Sequence, residues 1–430
     1  METDNINQCK PGSLFRETVL LCVLFGCLCF PLIFSKQECN YSQDETSFHL
    51  PAVRQISAHW PSLDVANDSL SATAPGYHYF LATVSFITGQ NVVTLRLVNW
   101  AVSTLVLVVL YRHVRRLLPR LDSTLILLPL AFSNFFVKSA SWVVTDNAAL
   151  LLVTLCLLSC LKQRTRARQN WTESLLICAS VFIRQMTVWL LALPWAAALA
   201  SPTAERRRRL MQAGVGTLPP LAVLAFLAFR WSGLVPPAWR DTSTAVSLVG
   251  PVYLLSVFST FAIFYLPSQP SAPTRLLWKF TLGGAAVFGF VLSLFPSTIP
   301  DYATGRWGGY LWNLAGYCPS PGGRNLLFVT LCTIGTVWVA RIWLMLSVKE
   351  NIQAATVFLA GLTAWAATFV VNRQVFHRYF EPTILVFLIA LVPMLVQGAP
   401  NLRRWRLGLA FCSAVQLALT LATAHLSIWR

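Results

Sequence analysis

Apolar runs recur from one end of this 430-residue chain to the other, and many approach the roughly 17 to 25 residues that cross the hydrocarbon of a bilayer. A spanning segment has to satisfy its own backbone hydrogen bonds, so each run is expected to be a helix. The scarcity of charge agrees: charged residues make up 11% of the chain, against roughly a quarter in soluble domains. The chain reads as an all-α polytopic membrane protein, one domain over residues 1–430, without internal repeat, low-complexity tract or separate soluble domain.

The net charge is +17, and its distribution is informative. The clusters Arg112/Arg115/Arg116/Arg120, Lys162/Arg164/Arg166/Arg168, Arg206 to Arg209, Arg275/Lys279 and Arg403/Arg404/Arg406 each fall in a short loop between apolar runs. That is the positive-inside pattern; it orients the chain and gives no reason to invoke nucleic acid as a partner. With these loops in the cytoplasm, spans are expected at 18–35, 93–111, 123–140, 147–161, 173–184, 187–201, 212–230, 246–266, 280–297, 325–346, 354–371, 382–397 and 408–428, about 12–13 transmembrane helices in all. The pair within 173–201 could instead be one broken span plus an interfacial piece. The first run, Val19 to Phe34, lacks a small-x-small cleavage site and reads as an uncleaved span.

This threading sends a long first extracytoplasmic loop, 36–92, outward, with 231–245, 297–324 and 372–381 on the same side. With the outward turns at 141–146 and near Arg184, these segments hold Asp44, Glu45, Asp64, Asp68, Asp146, Asp241, Asp301 and Glu381, while the cytoplasmic loops hold mainly Arg and Lys. Eleven cysteines form no zinc or redox spacing, and eight of them, from Cys22 to Cys412, lie inside apolar runs. Cys39 and Cys318 lie in outward loops and could pair if that side is oxidising. Sequons at Asn40 and Asn67 fall on the first outward loop and a third at Asn170 falls inside. No metal-ligand spacing and no phosphate-binding glycine loop is present, so no cofactor is expected and cytoplasmic use of ATP or a nucleotide sugar has no support.

Five places carry charge at or near membrane depth, where polar groups are costly and mark function by default. Asp44 and Glu45, with His49, form an acidic segment on the first loop, where one carboxylate could take a proton from an attacking hydroxyl; the bland alternative is a pair of solvated loop acids. Arg96 follows in Leu95–Asn99 and could simply snorkel. Asp146 opens a helix with Thr145, and either could be an N-cap. Arg184 and Gln185 interrupt apolar sequence, and a guanidinium there suits phosphate. The last place is Asn372 to Pro382, with Arg373, His377, Arg378, Tyr379 and Glu381. Two arginines on an outward turn run against the orientation signal and bias it towards an anionic ligand.

Taken in order, these segments resemble the multispanning glycosyltransferases of GT-C type that use polyprenyl-phosphate sugars, and most of all the dolichyl-phosphate-glucose α-1,2-glucosyltransferases. The acidic segment from Asp44 to Pro51 resembles that family's DE-x-FH-x-P. Thr73 to Tyr79 resembles its T-x-PG-x-Y, Arg96 and Asn99 its LR-x-x-N, Thr145-Asp146 its TD, Phe182 to Met186 its F-RQ-T, and Arg378-Tyr379-Phe380 its RYF. The first segment has one residue more than the family pattern, so ungapped Glu45 takes the family aspartate's place and gapped Asp44 keeps it. The RQ segment is shorter, and a glutamate follows Phe380.

The resemblance implies a GT-C-like fold and transfer of a hexose, glucose first, from a polyprenyl- or dolichyl-phosphate donor to a lipid-linked glycan. Asp44 or Glu45 is then the general base, and His49, Arg96, Asp146, Arg184, Gln185, Arg378 and Tyr379 bind substrate. The partners are those two substrates and membrane lipid. The active site would be lumenal or periplasmic, in an ER or bacterial plasma membrane. The competing classes are a transporter or flippase of lipid-linked glycans, which should show paired mid-membrane charges and repeat symmetry, and a non-catalytic membrane subunit.

Overall fold

The computed structural model describes residues 11–35, 40–62, 64–65, 70–162, 169–239, 246–266, 275–299, 307–348, 351–397 and 402–425. Cys39, and with it the expected pairing to Cys318, lies outside these residues, as do Asp68, Asp241, Asp301 and the cluster beyond Lys162.

The apolar runs are helices. After α1 (Pro11–Ile33), the first loop forms α2 (Asn40–Asp44), a π-helical turn (Glu45–His49) and α3 (Leu50–Ala58). Asp44 and Leu50 keep right-handed helical dihedrals, so these pieces run on as one rod. Then come α4 (Gly76–Thr88), α5 (Val92–Val114), α6 (Arg120–Ala131), α7 (Asn134–Ser141), α8 (Asp146–Leu161) and α9 (Gln169–Ile183). A 3-10 segment (Gln185–Leu191) leads into α10 (Ala192–Leu199) and α11 (Thr203–Trp231). The remainder is α12 (Val249–Tyr265), α13 (Arg275–Leu294), α14 (Tyr310–Ala315), α15 (Leu326–Val348), α16 (Ile352–Val370), α17 (Glu381–Val396) and α18 (Arg403–Thr420). Trp307–Gly308 pairs in parallel with Val375–Phe376.

Among the described residues, seven helices are long and apolar enough to cross a bilayer, and the pair α6–α7 would make an eighth. That pair occupies the expected span at 123–140 but bends by 69°. The bend falls where Ser133 caps α7, its hydroxyl accepting from the Phe136 N–H at 3.3 Å. The apolar stretch 173–201 is likewise broken, at Arg184, whose extended backbone ends α9. The arginine clusters depart from the loop reading: Arg206 to Arg209 lie in the first turns of α11, Arg112 in the last turn of α5 and Arg403 to Arg406 at the start of α18. Arginine is a good helix former and its long stem reaches past the hydrocarbon, so the helices simply continue beyond it.

The helices differ in what surrounds them. The apolar stretch of α17 is 83% buried and that of α11 only 17%. α17 is therefore the hub, wrapped by α5, α6, α8 and α12, while α11 presents most of its surface outward. The arginine clusters gather at one end of the bundle, where Arg406 pairs with Asp122 and Arg115 with Glu17. The loop rod α2–α3, the N-termini of α5, α8 and α17, and the C-terminus of α11 share the opposite end.

Candidate active site

At that opposite end three carboxylates meet three arginines, each pair joining distant parts of the chain. Glu45 sits on the π-turn, fully buried at 0% side-chain exposure. Arg96, one turn into α5, grips both its oxygens: Nε lies 2.9 Å from Oε1 and 3.2 Å from Oε2, and Nη2 also donates to Oε2. The Val143 N–H adds a bond to Oε1 at 2.8 Å. Arg96 Nη1 donates to the carbonyls of Ile33 and Ser35, both at 3.0 Å. Arg96 thus does not snorkel; it ties α1, the loop rod, α5 and the Trp142–Val144 strand-like turn together. Bidentate, charge-assisted pairs of this kind are the strong ones.

Asp44, one residue earlier, points the other way. Its partner is Arg378 Nη1, from the turn before α17, and 25% of its side chain remains exposed. Thr145, at the cap position of α8, makes no side-chain capping bond, and Asp146, the first residue of the helix, accepts from Arg184 Nη1 at 2.5 Å. Both arginines lie on the ring of Tyr379, Arg184 at 4.8 Å from its centroid and Arg378 at 5.3 Å. Two cations are thereby held side by side, each balanced by one carboxylate.

Asp146, Arg184, Gln185, Arg378 and Tyr379 line the polar end of a cavity of about 560 Å³. Its walls are apolar, including Leu150, Val153, Trp189, Leu224, Trp365 and Phe369, and its rim carries the exposed side chains Leu234 and Val371, just past the ends of α11 and α16, and Val246, just before α12. An anionic head with a long apolar tail matches this combination of cations and greasy wall.

The remaining expected residues take supporting places. Gln185 turns its amide to the first loop, donating from Nε2 to the Ala72 carbonyl at 2.9 Å and accepting from the Ala74 N–H at 3.0 Å. It pins the Thr73–Gly76 element beside the cavity. Gly76 permits that approach, since a Cβ there would stand 2.6 Å from the Phe182 carbonyl oxygen. His49 Nδ1 lies 2.8 Å from His78 Nε2 on α4. Burial holds His49 down to about 4, with Arg378 and Arg184 adding to the effect against the opposing pull of Asp146. Burial also holds His78 well below its ordinary value, helped by His49, so both rings are neutral at pH 7. Arg373 is exposed and is not among the residues around the cavity.

Some of the contacts made here are not readable in sequence, even where the residues themselves stand in the elements named above. His78 lies inside the quoted Thr73–Tyr79 element, but nothing in that pattern pairs it with His49. Asn99 accepts from the Tyr77 hydroxyl and donates to the Ser139 and Trp142 carbonyls at 2.7 and 2.5 Å, welding α4 to α5 and α7. Asn372 and Gln374 line the cavity too. No group of three His, Cys, Asp or Glu side chains able to hold a metal ion occurs among the described residues.

Residues 72–231 match the family model described as dolichyl-phosphate-mannose-protein mannosyltransferase. The matched stretch contains Arg96, Asp146, Arg184 and Gln185; Asp44, Glu45, Arg378 and Tyr379 lie outside it. This supports a membrane glycosyltransferase of the superfamily that draws on polyprenyl-phosphate sugars, and not the glucosyltransferase family in particular. No curated protein and no solved structure is similar enough to the chain to match it.

Proposed function

Starting from a membrane glycosyltransferase supplied by a polyprenyl-phosphate sugar, we propose that this chain transfers a hexose, glucose first among the candidates, to a lipid-linked glycan on the extracytoplasmic side. The observation that carries this reading is the pair Arg184–Arg378 at the polar end of a 560 Å³ cavity with apolar walls. The isoprenoid tail lies along Trp189 and Leu224, and the phosphate sits on the two guanidiniums.

Asp44 is the general base in this reading. Every oxygen of Glu45 is engaged by Arg96 and Val143 in a dry site, which leaves Glu45 no access to an acceptor. Asp44 has a single partner among the described residues, and that partner is the arginine the phosphate would take. Donor binding draws Arg378 onto the phosphate and releases the carboxylate. Asp44 then accepts the proton of the acceptor hydroxyl as its oxygen attacks the anomeric carbon. The bond from that carbon to the phosphate oxygen breaks, its electron pair leaving on polyprenyl phosphate, whose added negative charge Arg378 and Arg184 stabilise. A phosphate is a good leaving group, so no strong general acid is needed. Single displacement on a β-linked donor gives an α-linked product.

A second reading, with mannose as the sugar and a protein hydroxyl as the acceptor, is favoured by the description of the matched model. Proteoliposomes supplied with radiolabelled polyprenyl-phosphate glucose or mannose, and with lipid-linked glycan or peptide acceptors, separate the two. Label in lipid-linked glycan from the glucose donor supports the first; label in peptide from the mannose donor supports the second. Absence of transfer in every combination overturns both in favour of a transporter.

A further inference from the structure

Behind Arg378 and Tyr379 lies a second buried polar network, which the transfer chemistry does not use. His377 is 3% exposed and Glu381 1%. His377 Nε2 stands 2.9 Å from Glu381 Oε2, one turn on, and its Nδ1 stands 2.9 Å from the hydroxyl of Tyr253 on α12. The other carboxylate oxygen of Glu381 accepts from Ser133 Oγ at 2.5 Å and from Gln416 Nε2 of α18 at 3.2 Å. Phe135 stacks on the imidazole with ring centroids 5.0 Å apart. Gly309, at φ +123°, presses on the same histidine, and any Cβ there would collide with the His377 side chain.

A gain in stability is a weak reason for such an arrangement. A carboxylate among apolar helices is costly to bury, and replacing a buried ionic or polar cluster by well-packed apolar residues is often neutral or stabilising. Its geometry has a different consequence. The pair bridges the first residue of the His377–Tyr379 3-10 turn to the first residue of α17. Four helices, α7, α12, α17 and α18, therefore fix the rotation of that turn. The parallel pairing of Val375–Phe376 and the bond from Trp312 Nε1 to the Val375 carbonyl at 2.8 Å hold its other end. With His377 turned into the network, Arg378 and Tyr379 have to face the cavity.

We propose that His377 and Glu381 are positioning residues for the phosphate-binding turn: they set the direction of Arg378 and Tyr379 without touching substrate. This rests on the reading of the cavity as the donor site. The glutamate that sets this chain apart from the RYF pattern is then part of the machinery.

The test measures polyprenyl-phosphate affinity in nanodiscs, and donor KM and kcat, for wild type, Glu381→Gln, Glu381→Ala and Tyr253→Phe. Glutamine keeps an accepting oxygen for His377 and turns an amide N–H towards Ser133, whose hydroxyl then accepts where it donated to the carboxylate; alanine offers neither. Glu381→Ala should weaken polyprenyl-phosphate binding and raise donor KM on the order of tenfold to a hundredfold, with kcat lowered too because a misdirected Arg378 stabilises the leaving phosphate less well, and Glu381→Gln should recover most of both losses. If Glu381→Ala melts like wild type and binds like it, or if the two Glu381 variants are equally impaired, the positioning role is overturned. Should Glu381→Ala fail to fold, Tyr253→Phe decides: a several-fold weaker Kd supports the proposal and an unchanged one overturns it. Wild type that does not bind polyprenyl phosphate overturns the donor-site reading, and the positioning role with it.

Discussion

The pocket around Glu45 and the one around Asp44 are separated by a single peptide bond, yet each treats its carboxylate differently. Glu45 receives Arg96 on both oxygens and a backbone N–H as well, with no exposure to solvent. Asp44 faces one guanidinium at the edge of a cavity and keeps a quarter of its surface open. Neighbouring residues on a helix point about 100° apart, so Asp44 and Glu45 reach different partners, and the π-turn that begins at Glu45 is of a kind that recurs at functional sites. A carboxylate with every lone pair committed is a fastener. One whose partner can be drawn off by a ligand is a reagent.

The contrast can be broken most sharply at Asp44. Asp44→Asn should lower sugar transfer by about 10²–10⁴-fold while leaving the melting temperature of the purified protein nearly unchanged. The same variant should bind polyprenyl phosphate more tightly, because Arg378 no longer has a competing carboxylate. Weaker binding would count against the exchange of partners on Arg378. At Glu45 the deficit should be structural: Glu45→Ala leaves Arg96 buried without its counter-charge and should cost about 3–5 kcal/mol, read as loss of monodisperse, folded protein.

Arg184→Lys should act between these two extremes. Lysine keeps the charge but loses the planar fork over Tyr379, so donor affinity should fall by roughly 1.5–3 kcal/mol, about ten- to a hundredfold, with stability little affected. The smallest effect is that of pH. His49 titrates near 4 in the fold, against an ordinary value of 6.5, so the unfolded chain takes up its proton first as pH falls. Its contribution to stability is complete above 6.5 and declines from there towards 4, by less than about 1 kcal/mol at pH 6. His49→Gln should flatten that part of the melting-temperature profile.

Much of the helical architecture is legible in hydropathy, because lipid and backbone hydrogen bonding leave helices as the natural way through a membrane. The hub role of α17 is not, since lipid-facing and protein-facing helices are equally apolar in sequence; only packing separates α17 from α11. The arginine clusters are legible as one end of the bundle; Arg115, Arg116 and Lys162 lie in connections as read, whereas Arg112, Arg206 to Arg209 and Arg403 to Arg406 lie in helices, because charge marks the depth of a residue and not its secondary structure. Within the site, Asp44, Asp146, Arg184 and Arg378 stand out as costly charges beside apolar sequence, and the fold gathers them around Tyr379. The division of labour between Asp44 and Glu45 is invisible in sequence, as it hangs on partners far away in the chain, Arg96 for Glu45 and Arg378 for Asp44. The His49–His78 and His377–Glu381 contacts were hidden for a similar reason: a neutral pair and an internal network leave no periodic trace.

The rim of the cavity, with Leu234, Val246 and Val371 exposed, opens among apolar side chains just past the ends of two spans and just before α12. A donor carried by the membrane would reach it by lateral diffusion, never leaving its leaflet. The quantity that governs turnover is then the mole fraction of donor in the surrounding lipid, not its amount per litre. Diluting a fixed amount of donor with inert phospholipid should slow the enzyme, although nothing in the aqueous phase has changed.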